Sequence, residues 1–440
     1  MKLRLGSMMF LEYFVWGTWY VTVGTWLATA LHFSGQQVGW ASGSTAVGAM
    51  ISPFFIGLVA DRFFATQRVL AGAHAVGALL LFTASAQQSF VPLYALLLLY
   101  ALCFMPTLAL TSALAMRHLE DARTQFGLIR VFGTLGWIVA GLLVGLLHLE
   151  ATGVPLRLAA AASLLMALYC LALPDTPPLA RRGHATAGRA GAAAGTVGTV
   201  AGKRDAAAAG SSAGVLGQLI PGEVLRLLRG RSMAVFVAAS FCICIPLQFY
   251  YAFTNLFLNQ AGWPAAAARM TGGQASETAC MLLIPLFFRR LGVKYMLAAG
   301  MLAWVLRYLL FAFGDAGAFS WMFWLGVLLH GICFDFFFVV GQIYIDAAAP
   351  PALRAATQGF ITFVTYGIGM FFGSWLSGVV VDHFLLPGPD HPHNWQSIWL
   401  VAAACAGVVL AFFLVAFREP RETVVVPPSS LGATAGEAGT

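Results

Sequence analysis

Val91-Pro-Leu-Tyr-Ala-Leu-Leu-Leu-Leu-Tyr100-Ala-Leu-Cys103-Phe-Met-Pro106-Thr-Leu-Ala-Leu110-Thr-Ser-Ala-Leu-Ala115 runs for 25 residues without a charge. The hydrocarbon core of a bilayer is about 30 Å thick, and a helix needs about 20 apolar residues to cross it. Backbone N–H and C=O groups in lipid have no water to bind, so a run of this length pairs them internally as a helix.

Eleven further runs of this kind flank it, bounded by polar or Gly/Pro breaks. They fall at about 7–31, 38–60, 68–87, 126–148 and 155–173, then at 232–259, 264–288, 293–313, 319–345, 353–381 and 395–417. Composition agrees: 60% of the residues are apolar and 9% charged, against roughly a quarter charged in soluble domains. The reading is an all-α integral membrane protein with twelve transmembrane helices in two six-helix bundles. The bundles take residues 1–173 and 232–417, with a cytoplasmic linker at 174–231 and a cytoplasmic tail at 418–440.

The linker stands out by composition. Ala180 to Gly217 is mostly Ala, Gly, Ser and Thr with scattered Arg and Lys, and offers nothing to bury. Pro221-Gly222-Glu223-Val-Leu-Arg226-Leu-Leu-Arg229 follows it as a short amphipathic piece suited to the membrane surface. With the amino terminus inside, 20 of the 24 Lys and Arg fall in cytoplasmic segments, and the outward loops hold only Arg157. The bias of basic residues toward the cytoplasm then places both termini and the linker there. Lys2 and Arg4 precede a span too long for a signal peptide, with no small-residue cleavage site, so the first helix is expected to remain. The seven cysteines all lie in apolar stretches with no metal-binding or disulfide spacing, and read as small buried apolar residues.

Ionisable residues in mid-span cost several kcal/mol unless paired or hydrated, so each is a functional candidate. Arg130, Thr134 and Trp137 are spaced i, i+4, i+7 and share one helix face. A cation, a hydroxyl and an aromatic on one stripe suit a polar solute bearing a ring; the alternative is an arginine reaching for headgroups. Gln274 and Glu277, at i, i+3, also share a face. A carboxyl group in a low-dielectric cavity has its ionised form disfavoured, so Glu277 can take a proton on one side and release it on the other. Its structural alternative is a neutral or arginine-paired carboxyl that only holds helices together. Gln248, Tyr251 and Asn255 make a third stripe, for binding or for holding helices together. His330, Phe334 and Phe337 make a fourth, for stacking or packing, while Asp335 points elsewhere, either paired with Arg307 or serving as a proton site. Glu12, amid Tyr13, Trp16 and Trp19, is a further cavity candidate, and Arg269 an outer-gate or snorkelling residue.

Gly57-Leu-Val-Ala-Asp61-Arg62 resembles the loop motif of the major facilitator superfamily, and Arg289-Arg290-Leu-Gly292-Val-Lys294 in the second half keeps only its basic part. More specifically, the chain is similar to the nucleoside–proton symporter family of that superfamily over nearly its whole length. The likeness rests on Phe14-Val-Trp16-Gly17-Thr-Trp19, Phe104-Met-Pro106-Thr107, Ile129-Arg130-Val-Phe-Gly133-Thr134-Leu-Gly136, Gln274-Ala-Ser-Glu277-Thr, Ala303-Trp304-Val-Leu-Arg307, Phe334-Asp335-Phe336-Phe337, Arg354-Ala-Ala-Thr-Gln358-Gly359 and Trp395-Gln396-Ser-Ile-Trp399. The resemblance implies a central cavity lined at Arg130, Thr134, Trp137, Gln248, Tyr251, Gln274, Glu277, His330, Phe334 and Asp335. It also implies three departures: a Trp at 137 in place of a Phe, Tyr251 where an Asn is expected, and His330 where a Tyr is expected.

The expected function is proton-coupled uptake of nucleosides by alternating access. Arg130, Thr134, Trp137, Gln248, Tyr251, Gln274, Glu277, His330 and Phe334 would bind substrate, and Glu277 and Asp335 would couple the proton. Its partners are a nucleoside or related small polar solute, protons and the lipid bilayer; nucleic acid is not among them, and the chain is expected to be a monomer of the bacterial inner membrane. The rivals are a symporter of the same fold for a sugar or cell-wall fragment, and a membrane receptor without transport. No phosphate-binding Gly-Lys-Ser/Thr loop, Gly-x-Ser-x-Gly elbow or metal-ligand cluster appears in the sequence, so no enzyme, cofactor or metal is expected.

Overall fold

A computed structural model describes residues 1–55, 64–177, 222–387 and 393–418. The Gly57–Arg62 motif and the Ala180–Gly217 linker lie outside the described residues. The described residues are mainly helical, with α1 (Lys2–Trp19), α2 (Val23–Thr29), α3 (Gly35–Phe55), α4 (Thr66–Ala84), α5 (Phe90–Arg117), α6 (Ala122–Leu146) and α7 (Val154–Leu171) in the first part of the chain. Next come α8 (Gly222–Leu227), α9 (Arg231–Gln260), α10 (Ala266–Phe313), α11 (Ser320–Leu328) and α12 (His330–Phe334). A π-helical turn, Asp335–Val339, leads into α13 (Val340–Ala348). Then α14 (Arg354–Thr362), a second π-helical stretch at Phe363–Gly369, α15 (Met370–His383) and α16 (Trp395–Ala416) complete it.

Among the described residues, nine helices are long and apolar enough to cross a membrane. The twelve expected crossings are not counted this way, for local reasons. The first span breaks into α1 and α2 at Tyr20–Thr22, and α3 is diluted by Gln, Ser and Gly. The 48 residues of α10 would stretch about 70 Å if straight, more than twice the hydrocarbon thickness. They are not straight, because Gly292 has φ 66°, a conformation that only glycine takes without strain, and breaks the rod there. Gly273 lies against His330, and Gly300 against Phe337. Those partners are about 10 Å apart along their helix, while the two glycines would be about 40 Å apart on a straight rod. The limbs of α10 therefore fold back on each other.

Helix α1 packs on α6, and α4 on α5 and α7; α9 packs on α15 and α16, and the limbs of α10 on α12 and α16. Besides α2 with α9, two more extensive crossings join the first part of the chain to the second, α3 with α15 and α6 with α10. Both are close backbone approaches. A Cβ on Gly39 would run into the Ser374 carbonyl oxygen, and one on Gly145 into the Ala268 amide. In lipid, such small-residue contacts carry helix association because burying apolar surface gains nothing there.

Buried aromatics hold the second part together. Phe257 contacts Phe311, Phe323, Trp395 and Trp399 at ring separations of 5.2–5.7 Å. Arg307, expected to pair with Asp335, does not. Its Nε donates to the Gly326 carbonyl at 3.0 Å, and its guanidinium lies 4.2 Å from the centre of the Tyr250 ring. Cation–π attraction with a carbonyl partner is how it is held in an apolar core.

Candidate functional site

A cavity of about 480 Å³ opens between helices from both parts of the chain, a size ordinary for a small-molecule site. Arg130, Thr134 and Trp137 all face it from α6, as their spacing predicts, and Gln274 and Glu277 face it from α10. Tyr251 enters from α9, and His330 and Phe334 from α12. The two α12 residues are aimed by a break in the helix at Leu329. Ser276 fastens that break: its hydroxyl donates to the Leu328 carbonyl and accepts from the Gly331 amide.

Two of the charged groups in the cavity have close neighbours. Glu277 Oε2 lies 3.8 Å from His330 Nε2, with the carboxyl 24% exposed toward the cavity and the imidazole buried. The Arg130 guanidinium sits 4.0 Å from the centre of the Tyr13 ring. Trp137 meets Trp16 edge to face at 5.3 Å, leaving a rigid aromatic wall. A planar polar solute can stack on such a wall and hydrogen-bond to Arg130, Gln274 and Glu277.

The structure also moves several expected residues off the lining. Gln248 is buried behind it against Gly373, and its Oε1 makes no hydrogen bond among the described residues. Asp335 is fully buried, absent from the cavity wall, and neither of its oxygens is bonded within the described residues. It opens the π-helical turn, whose extra residue rotates the following side chains. For the same reason Phe337 leaves the His330–Phe334 stripe and packs on Trp304 and Phe236. Asn255 accepts the Thr25 hydroxyl at 2.6 Å and so joins helices rather than lining the cavity.

Glu12 is likewise not a cavity residue. It is fully buried, accepting the Thr107 hydroxyl at 2.6 Å and lying 3.1 Å from His74 Nε2, whose other ring nitrogen is 3.1 Å from Ser163 Oγ. Its neighbours Tyr13 and Trp16 do reach the lining, together with Tyr20. Their i, i+3, i+7 spacing was the available signal, a face adjacent to Glu12 rather than shared with it. Thr45 and Ser52, which share a face of α3 at i, i+7, and Tyr366 also line the cavity. Arg269 stands 4.6 Å from the ring centre of Trp263 and 5.8 Å from that of Trp324, a cation tethered to two aromatic rings.

A membrane-spanning helical chain with a polar, aromatic-walled cavity between its two parts has the architecture of a solute carrier. The family model described as nucleoside H+ symporter matches residues 1–195 and 207–422, and the chain belongs to that family. It is therefore a multi-pass membrane transporter of the major facilitator fold and not an enzyme. It is 35% identical to a putative nucleoside transporter, YegT, of Escherichia coli K12, over 99% of this chain and 98% of the relative. It is 32% identical to the xanthosine permease of the same organism, over 94% and 96%. The crystal structure of the nucleoside transporter NupG superposes with a TM-score of 0.83 at 28% identity, covering 95% of this chain and all of that one.

Proposed function

We propose that this protein takes up nucleosides together with protons by alternating access. What carries the reading is the convergence of Arg130, Gln274 and Glu277, from α6 and α10, on one aromatic-walled cavity in a member of the nucleoside symporter family. The base stacks on Trp137 and Phe334, while Gln274, Arg130, Thr134 and Tyr251 hydrogen-bond its edge and the ribose hydroxyls. His330 holds Glu277 in place, and Glu277 carries the proton. Asp335, buried and without a hydrogen-bond partner among the described residues, is the second proton acceptor, and Gln248 supports the wall from behind.

In this reading residues 1–173 and 232–417 form the two bodies that rock about the cavity, with 174–231 joining them in the cytoplasm and 418–440 trailing there. Both termini face the cytoplasm across a bacterial inner membrane, and the chain works as a monomer in the bilayer. One proton moving down about 100 mV releases about 2.3 kcal/mol, enough for roughly fifty-fold accumulation.

Purified protein in liposomes with an acidic exterior tests this directly. Labelled uridine, adenosine and xanthosine are offered beside a panel of sugars, with and without the pH gradient. Gradient-stimulated nucleoside uptake is the expected result; uptake of sugars alone, or nucleoside flux indifferent to the gradient, overturns the reading.

A further inference from the structure

Two carboxylates bridge the parts of the chain beyond one end of the cavity. Asp382, near the end of α15, accepts the first two amides of α3, from Gly35 at 2.5 Å and Gln36 at 2.9 Å. Glu150, four residues beyond α6 and 3% exposed, accepts the second amide of α10, from Ala267 at 3.1 Å. The leading amides of a helix have no partner within it and carry the positive end of its dipole, so a carboxylate there both bonds and neutralises them.

The two contacts repeat one design. In each, an acid at the C-terminal end of one helix of a crossing pair caps the N-terminus of the other, in α15 with α3 and in α6 with α10. Glycines bring the backbones together in both of these pairs. By the up-and-down order of the helices, both caps lie on the face opposite residue 1, as does the Thr25–Asn255 bond between α2 and α9. The cavity begins deeper, ten residues along α3 at Thr45 and seven residues along α10 at Gln274. That puts the caps about 10–15 Å beyond it.

The geometry points to Glu150 and Asp382 as twin latches of a gate that shuts the cavity on the face opposite the termini. Each carboxylate must leave its helix N-terminus before a solute can enter from that side, and returns to it when the cavity turns to the other. The inference rests on the alternating-access reading. It differs from that reading in what it requires, namely that two acids remote from the solute set the balance between the two orientations. A carboxylate that caps a helix only in one orientation biases the equilibrium toward it by its whole differential interaction.

A cavity cysteine reports the gate without reference to any solute. Ala46, on the lining, is replaced in the full chain by Ala46→Cys, and right-side-out membrane vesicles are treated with a thiol reagent that cannot cross the membrane. The same chain without that substitution gives the background from the seven native cysteines. Adding Glu150→Ala with Asp382→Ala is expected to speed outside labelling about tenfold, within the reach of two charge–helix contacts. Glu150→Gln with Asp382→Asn, which keep the shape and an acceptor oxygen but lose the charge, give a smaller rise, and decide the matter if the alanine pair fails to reach the membrane. Labelling unchanged in the folded variants overturns the gate. Latches that respond in a chain moving no nucleoside count against the transport reading alone, while nucleoside uptake with unresponsive latches counts against the gate alone.

Discussion

Glu277 and His330 meet across the cavity wall, Oε2 to Nε2 at 3.8 Å, one from α10 and the other from α12. The carboxyl is the acid on the lining that the proposed cycle loads and unloads, and the imidazole is the basic group nearest to it. Glu277→Gln keeps the size and the hydrogen-bonding capacity of the side chain but cannot exchange a proton. Uptake in liposomes is expected to fall to the rate seen without a pH gradient, while nucleoside binding, read as a thermal shift of the purified protein, persists. Gradient-stimulated uptake that continues undiminished removes Glu277 from the coupling role.

Tyr13 lies under the Arg130 guanidinium at 4.0 Å. Contacts of this type are worth about 0.5–2 kcal/mol. Tyr13→Leu should raise KM for nucleosides by roughly threefold to tenfold as the arginine loses its fixed position, whereas Tyr13→Phe, which keeps the ring face, should stay near wild type. Initial-rate uptake across a range of nucleoside concentrations separates the two; equal KM values for Leu and Phe would show that the ring does not position Arg130.

Trp137 forms the aromatic wall with Trp16 at 5.3 Å. Loss of an aromatic partner costs about 0.5–1.5 kcal/mol beyond the area it buries. Trp137→Ala is therefore expected to weaken nucleoside binding by about tenfold, and Trp137→Phe by far less. Equilibrium binding to detergent-solubilised protein measures both, and an alanine variant that binds as tightly as wild type excludes stacking at this position.

Glu12 supports the fold rather than the solute. Removing its carboxylate strands the Thr107 hydroxyl and the His74 ring in an apolar interior, a loss of about 2–4 kcal/mol. Glu12→Ala should lower the thermal unfolding temperature of the purified protein clearly while leaving uptake per folded molecule unchanged. A normal melting temperature combined with lost uptake would move Glu12 into the transport machinery.

Much of the site was legible because helical spacing is local. Arg130, Thr134 and Trp137 share a stripe by arithmetic, as do Gln274 and Glu277, and both stripes face the cavity. Reading failed where the helix departs from 3.6 residues per turn or where a face had to be chosen among neighbours. The π-helical turn at Asp335–Val339 shifts the register, so that Phe337 and Phe334 part company. In the expected cluster of Glu12 with Tyr13, Trp16 and Trp19, it is Tyr13 and Trp16, joined by Tyr20 just beyond α1, that reach the cavity, while Glu12 and Trp19 are buried away from it. Gln248 sits on a stripe with Tyr251, yet helix α15 comes so close at Gly373 that the amide is covered.

The amino-acid order alone determined that this chain lives in a bilayer, that it is helical, and which short motifs ally it with the nucleoside symporters. Each of these follows from runs of apolar residues, or from side chains within a turn or two of one another. Partners distant in the chain were decided only by the packed molecule. Arg307 chose a carbonyl and a ring over Asp335, Glu12 chose Thr107 and His74, and Asp382 found the amides of Gly35 and Gln36 on the far side of the chain. In a medium without water every buried polar group must bond to whatever the crossing helices bring within reach, and that depends on how closely the backbones approach.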